Sequence, residues 1–217
     1  MRFIVGTPKD VGIGTAFGAT ASLVSDVPSL LGEVGQAHSQ DSPTTWAAIF
    51  VGVILNTGCA WAALAFTVGW FITTQARPVK AYWGGAIAGV AALLTATAAY
   101  YLTDLLLGVD MNWQAAAFWS VRAIAFGAPL GVAGVIARRG GWLGLIAAFT
   151  VPVGAMANMV ILPIHRGLTG ESSADGWAQL GVWIAALAGS TLVIIRFARS
   201  RPARVSPAAL HEDVASR

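Results

Sequence analysis

The chain is predicted to be an all-α polytopic membrane protein: a bundle of six transmembrane helices with both termini in the cytoplasm. Three observations carry this. First, of 217 residues 56% are apolar and only 11% charged, where an ordinary soluble domain is about a quarter charged; mean hydropathy is +0.69. Second, the chain divides into uncharged or nearly uncharged runs of the ~20 residues that cross ~30 Å of hydrocarbon. Third, the charges between those runs alternate in sign. The composition excludes a disordered chain, a coiled coil and a disulfide scaffold. The +3 net charge is accounted for by basic cytoplasmic loops, so no nucleic-acid partner is implied.

The spans follow in order. Span one, residues 10–31, has a short apolar core at 11–24 and then includes Asp26 and Pro28. A cleaved signal peptide is the alternative, with Gly35-Gln36-Ala37 as its small-residue site, but the separation from the apolar run is long for a signal. Span two, 46–74, lies in the longest uncharged stretch, 42–76. Span three, 81–104, is uncharged until Asp104 closes it. Span four, 113–137, is interrupted by Arg122 alone; spans five and six cover 141–164 and 176–196. Residues 199–217, with Pro202, Pro207 and mixed charge, read as a disordered cytoplasmic tail whose arginines suit anionic headgroups.

Short basic loops stay in the cytoplasm. Arg2 and Lys9 precede span one, Arg77 and Lys80 separate spans two and three, Arg138 and Arg139 separate spans four and five, and Arg196, Arg199, Arg201 and Arg204 follow span six. The alternate segments hold Asp26, Glu33 and Asp41, then Asp104 and Asp110, then Glu171 and Asp175, with Arg166 their one basic residue. Five spans would place Arg2 and Lys9 outside. Trp46, Trp113 and Trp177 open spans at the outer interface and Trp70, Trp83 and Trp142 lie near the inner one, as expected of interfacial indoles. The preference for Arg over Lys, alongside abundant Ala, Gly and Val, suits a GC-rich bacterial genome and hence a bacterial cytoplasmic membrane.

Glycines spaced by four, Gly14 and Gly18, Gly85 and Gly89, Gly127 and Gly131, point to close helix packing within the chain, with homodimerisation as the alternative. Pro129 and Pro152 fall inside spans four and five. The segment Gly127-Ala128-Pro129-Leu130-Gly131 reads as a flexible or broken point, of the kind that marks binding sites in transporters. Ala16-Phe17-Gly18-Ala19 recurs as Ala125-Phe126-Gly127-Ala128, 109 residues later, the offset an inverted repeat of three plus three spans would have, although four residues in an Ala- and Gly-rich chain also match by chance.

Polar residues within the spans are the candidate site. Arg122 lies about 15 Å into span four at helical rise, where a charge costs at least ~2.5–3.5 kcal/mol. Asn56 on span two, Asn158 on span five and Asp104 below the outer end of span three share the same half of the bilayer. Two readings stand. In one, Arg122 snorkels and the asparagines tie helices together. In the other, an outward-facing pocket binds a ligand through Arg122, Asn56, Asn158 and Asp104, with Trp119 and Tyr100 on its walls. Whether the cluster is a ligand site or structural glue, Arg122 is expected to point into the bundle and bond to at least one of Asn56, Asn158 and Asp104, with Asn56 as the first choice for direct contact. No carboxylate pair is evident within the membrane. Cys59, the one cysteine, is expected to be unpaired and buried, and His38, His165 and His211 fall in loops or the tail, so neither a metal site nor a cofactor is expected. GxxxxGK[ST], HExxH and GxSxG are absent.

The segments Leu55-Asn56-Thr57-Gly58-Cys59-Ala60-Trp61, Ala99-Tyr100-Tyr101, Phe118-Trp119 and Gly127-Ala128-Pro129-Leu130-Gly131 resemble a family of small, uncharacterised actinobacterial multi-pass membrane proteins. The resemblance covers roughly residues 10–196 and implies that Asn56, Trp61, Trp119 and Pro129 sit at recurring positions of that family; it transfers no mechanism. The first external loop, residues 27–45, is longer than that pattern. Function is accordingly expected to be binding or transport of a small molecule, alone or with a partner subunit or a second copy, in contact with the lipid bilayer. The rival classes are an intramembrane enzyme acting on a lipid or isoprenoid, with Asp104 as proton donor, and a structural membrane partner.

Overall fold

The computed structural model describes residues 8–30, 43–71, 78–139, 141–161 and 173–199. The tail at 200–217, most of the first loop and its Gly35-Gln36-Ala37 site, and the loop charges Arg2, Glu33, Asp41, Arg77, Arg166, Glu171, Arg201 and Arg204 lie outside these residues. The described residues form seven helices: α1 (Pro8–Leu30), α2 (Pro43–Asn56), α3 (Gly58–Phe71), α4 (Pro78–Leu106), α5 (Trp113–Arg138), α6 (Gly141–Ile161) and α7 (Ser173–Arg199). Helix is what an apolar medium demands, because each segment then satisfies its own backbone N–H and C=O groups.

Four helical segments are long and apolar enough to cross a bilayer: Val79–Leu106, Trp113–Arg138, Gly141–Ile161 and Gly176–Arg199. The α2–α3 pair, bent by 58°, makes a fifth if counted as one span. The apolar part of α1, Val11–Val27, is shorter than these.

The antiparallel pair α4 and α5 forms the centre and has the most extensive interface. Small residues set its spacing. A Cβ on Gly131 would overlap the Gly85 carbonyl, and one on Gly89 would overlap the Gly127 carbonyl. Lipid tails are as apolar as leucine, so helices gain by close van der Waals approach rather than by hiding from water. α1 runs parallel to α4, with Gly14 against Ala92 and Gly18 against Ala96. α3 meets α5 through Gly69 on Gly131 and Gly134 on the turn from Phe66 to Trp70. Each of the predicted glycine pairs thus packs within the chain. α6 and α7 pair through Pro152 on Gly189 and Trp142 on Phe197, and α7 reaches α2 where Gly181 meets Phe50 and Ile54. The core around α3, α4 and α5 contains Leu64, Ala65, Val68, Ala88, Ala92 and Ala123, with Phe17 and Trp61 edge to face at 5.5 Å beside it.

Three predicted details change. Span two is not one helix, because it breaks at Thr57, the residue between α2 and α3. There the Thr57 hydroxyl donates to the Ile54 carbonyl at 2.7 Å, as the Thr57 N–H does at 3.2 Å. The helical ladder is interrupted here because the Thr57 N–H and the Ala60 N–H each bond three residues back, to Ile54 and to Thr57. Conversely, α5 runs unbroken through Pro129. Proline loses one ladder bond there, but the tight contacts of Gly127 and Gly131 with α4 hold the helix on either side. Cys59 is free but only half-buried, its sulfur 2.9 Å from the Thr57 hydroxyl.

Short caps lock the α4–α5 connection. Gly108, at φ +78°, ends α4. Its N–H donates to the Leu105 carbonyl at 3.2 Å and the Val109 N–H to the Asp104 carbonyl at 2.9 Å. This is the Schellman pattern, which requires a left-handed residue where glycine fits at no steric cost. Asn112 caps α5 by accepting from the Ala115 N–H at 3.0 Å. Asp104 is thereby held in the last turn of α4.

Candidate functional site

Three helices converge at the end of the bundle where α4 finishes. Ser22, Ser25 and Asp26 lie on α1 at positions i, i+3 and i+4, so they share one face. Tyr100, Tyr101 and Asp104 occupy the last turns of α4, and Asn56 ends α2 at the break. The fully buried Ser22 donates its hydroxyl proton to Asp104 Oδ1 at 2.6 Å. Asn56 Nδ2 donates to Ser25 Oγ at 2.7 Å, and Ser25 Oγ donates to the Ala21 carbonyl at 2.7 Å. Tyr100 lies beside Ser25, Asp26 and Asp104, and its ring meets that of Tyr101 edge on at 5.5 Å.

The carboxyls of Asp26 and Asp104 face each other within hydrogen-bonding reach. Oδ2 of Asp26 is buried with no hydrogen-bond partner among the described residues. An ionised carboxylate only accepts hydrogen bonds. Two ionised carboxylates at this range repel each other, and a proton or a cation between them relieves that repulsion. The sequence shows no carboxylate pair within the membrane; the structure brings this pair together at the adjoining ends of α1 and α4. The pair was missed because its members belong to helices far apart in the chain. The signal that could have found it is the Ser22, Ser25, Asp26 spacing, which places three polar groups on one face in the last turns of α1.

Of the predicted site residues, Asn56, Asp104 and Tyr100 fall in this cluster. Arg122 and Trp119 do not, since both are exposed on the outer face of α5. The Arg122 guanidinium carbon stands 3.9 Å from the centre of the Phe118 ring and 5.2 Å from that of Trp119. Asn158 is half-buried on α6. Among the described residues no hydrogen bond joins Arg122 to Asn56, Asn158 or Asp104. The expected Arg122–Asn56 contact is replaced by Asn56 to Ser25. The cause is the packed face of α5, the stripe Ala123, Gly127, Gly131 and Gly134, which touches its neighbours too closely to admit a guanidinium. Among the described residues no group of three or more His, Cys, Asp or Glu is placed to hold a metal.

Basic side chains gather at the opposite end. Arg138 donates to the Trp70 carbonyl at 3.2 Å, Arg139 to the Tyr82 hydroxyl at 2.7 Å, and Arg196 stacks 4.2 Å above the Trp70 ring. Arginine over an indole or phenol ring is favourable where the ring stays partly desolvated.

A helical bundle with span-length apolar helices, carboxylates at one end and arginine–aromatic contacts at the other defines a polytopic helical membrane protein. More particularly, the chain belongs to the family of unknown function DUF6518, which matches residues 43–211. The match includes Asn56, Tyr100, Asp104 and Arg122 and begins after α1, which supplies Ser22, Ser25 and Asp26. No curated protein and no solved structure matches the chain.

Proposed function

We propose that the chain binds or transports a small cationic solute across the bacterial cytoplasmic membrane, alone or with a partner subunit or second copy, and that Asp26 and Asp104 hold the proton or cation involved. The observation that carries this is the facing carboxyl pair with its buried, unpartnered Asp26 Oδ2. The pair lies beside the α2–α3 break. Interrupted helices free backbone groups at membrane depth and are common where transporters bind ions. Ser22 orients Asp104 through a short bond to Oδ1. Tyr100 and Tyr101 set polarisable rings beside a bound positive charge. The reading keeps Asn56, Asp104 and Tyr100 from the sequence and adds Ser22, Ser25 and Asp26. It includes a topology of six spans in which α1 is the first, the termini are cytoplasmic and the cluster opens to the outer side.

The test is carboxyl labelling of the full chain in liposomes by dicyclohexylcarbodiimide, which reacts with protonated carboxyls in apolar surroundings. Labelling is expected at Asp26 or Asp104, to fall as pH rises, and to fall when sodium or tetramethylammonium is added. Asp104→Asn should abolish any cation protection. Absence of label from both residues across the pH range, or label indifferent to added cations, would overturn the assignment.

A further inference from the structure

A formal charge stands on α5 where no other helix covers it. Around Arg122 the outer face is apolar: Phe118 is 50% exposed and Trp119 49%, and Val121 and Ile124 are exposed as well. Stacking over the Phe118 ring occupies the flat side of the guanidinium. Its five N–H donors lie in the guanidinium plane and are not satisfied by a ring. None of them meets a protein acceptor among the described residues, and donors left unpaired at membrane depth are costly, which favours an acceptor supplied by the lipid.

Depth identifies that acceptor. Phe118 precedes Arg122 by one turn, so the side chain is drawn toward the Trp113 end of the helix. Phe118 lies ~7.5 Å along the axis from Trp113 at 1.5 Å per residue. The 26 residues of α5 make a helix of ~39 Å, which overhangs a ~30 Å hydrocarbon core by ~4–5 Å at each end. The guanidinium then sits ~3 Å inside the hydrocarbon edge, within reach of a lipid phosphate. Gln114, exposed and one turn above Phe118 on the same face, adds amide donors at headgroup height. Trp113, 72% exposed, marks the interface itself.

A second copy of the chain fits this face poorly. A two-fold contact presents the same patch from both sides, which would set Arg122 near its own counterpart. An anionic lipid supplies the opposite charge, and phosphate matches the guanidinium fork with two parallel bonds. Phosphatidylcholine is the weaker candidate, because its own choline already neutralises its phosphate.

We propose that Gln114, Phe118, Trp119 and Arg122 form a surface site for the phosphate of an anionic phospholipid in the leaflet at the Trp113 end of α5. The site is independent of the carboxyl cluster.

The experiment is native mass spectrometry of the full chain titrated with phosphatidylglycerol or phosphatidylcholine in mixed micelles. The wild-type chain is expected to hold one phosphatidylglycerol more tightly than phosphatidylcholine. Arg122→Gln should weaken that site about tenfold or more, as loss of a charge-assisted bond does, and Arg122→Lys should weaken it less. The site is exposed and outside the packed stripe, so both variants should melt with the wild type in phosphatidylcholine. Unchanged phosphatidylglycerol affinity in Arg122→Gln would overturn the proposal. Inorganic phosphate competing as well as the lipid would assign the site to a soluble anion instead. Efficient disulfide cross-linking of Val121→Cys between two copies, in a Cys59→Ser background, would show that protein covers this face and would equally defeat it.

Discussion

Replacing Gly131 by alanine should destabilise the bundle on the order of 2 kcal/mol. The new Cβ would overlap the Gly85 carbonyl oxygen and stand 2.9 Å from the Gly85 carbonyl carbon and 3.2 Å from Gly89 Cα. All three are backbone atoms of α4, so no side chain can swing aside. Relief requires α4 and α5 to separate by ~1 Å, and a gap of that size forfeits a quarter to a half of each contact's ~0.1–0.2 kcal/mol of dispersion. Over on the order of forty atom pairs at the crossing, the loss comes to ~2 kcal/mol, within the ~1–3 kcal/mol typical of overpacking. Gly154 is the control. It lies mid-helix in α6 with nothing within 4 Å of its hypothetical Cβ. Gly154→Ala should therefore be neutral or stabilising by up to ~0.5–1 kcal/mol, through backbone entropy alone. Unfolding free energies from denaturing-detergent titration in mixed micelles would compare the two. Equal stability of Gly131→Ala and Gly154→Ala would refute the close α4–α5 crossing. Because α4 also carries Tyr100 and Asp104, the same shift should reduce carboxyl labelling in Gly131→Ala.

Two further outcomes are expected. Ser22→Ala removes the donor to Asp104 Oδ1 and should cost ~1.5–3 kcal/mol in the same titration, as for a bond to a charged group, whereas Asn56→Ala, which loses a neutral bond to Ser25, should cost ~0.5–1.5 kcal/mol; a neutral Ser22→Ala would show that α1 does not hold Asp104. Reporter fusions at Gln75 and Gly108 should fall in opposite compartments and a fusion after Arg204 in the cytoplasm, and a periplasmic C-terminus would defeat the topology.

Much of the site was legible as residues but not as an arrangement. Asn56, Asp104 and Tyr100 stand out because polar groups in apolar runs are expensive. Their neighbours Ser22, Ser25 and Asp26 stand out only once α1 is known to lie parallel to α4, with Gly14 and Gly18 setting the register. Arg122 was the most conspicuous residue, and on expense alone it was expected to point inward. The marks of the outward solution are spaced along α5 itself, the Gly127 and Gly131 pair and the rings of Phe118 and Trp119 one turn above Arg122, but only the packing of that glycine face against α4 decides that the opposite face carries the cation. Likewise, two prolines advertised breaks in the helices, yet the bend came at Thr57, where the backbone N–H groups of Thr57 and Ala60 bond three residues back instead of four.

Sequence alone determined that the chain is helical, where its long apolar runs lie and which ends of them are basic. Those properties are local: a helix in lipid closes its own backbone hydrogen bonds, and transfer of each residue from water depends on that residue's chemistry. Tertiary structure alone decided that Asp26 meets Asp104, that α2 and α3 part company, and that Arg122 faces away from the bundle. Between helices in lipid there is little solvent-driven sorting of faces, so partner choice rests on van der Waals fit at small residues and on a few polar pairs. Such fit is a property of two surfaces together, and neither strand of sequence records it by itself.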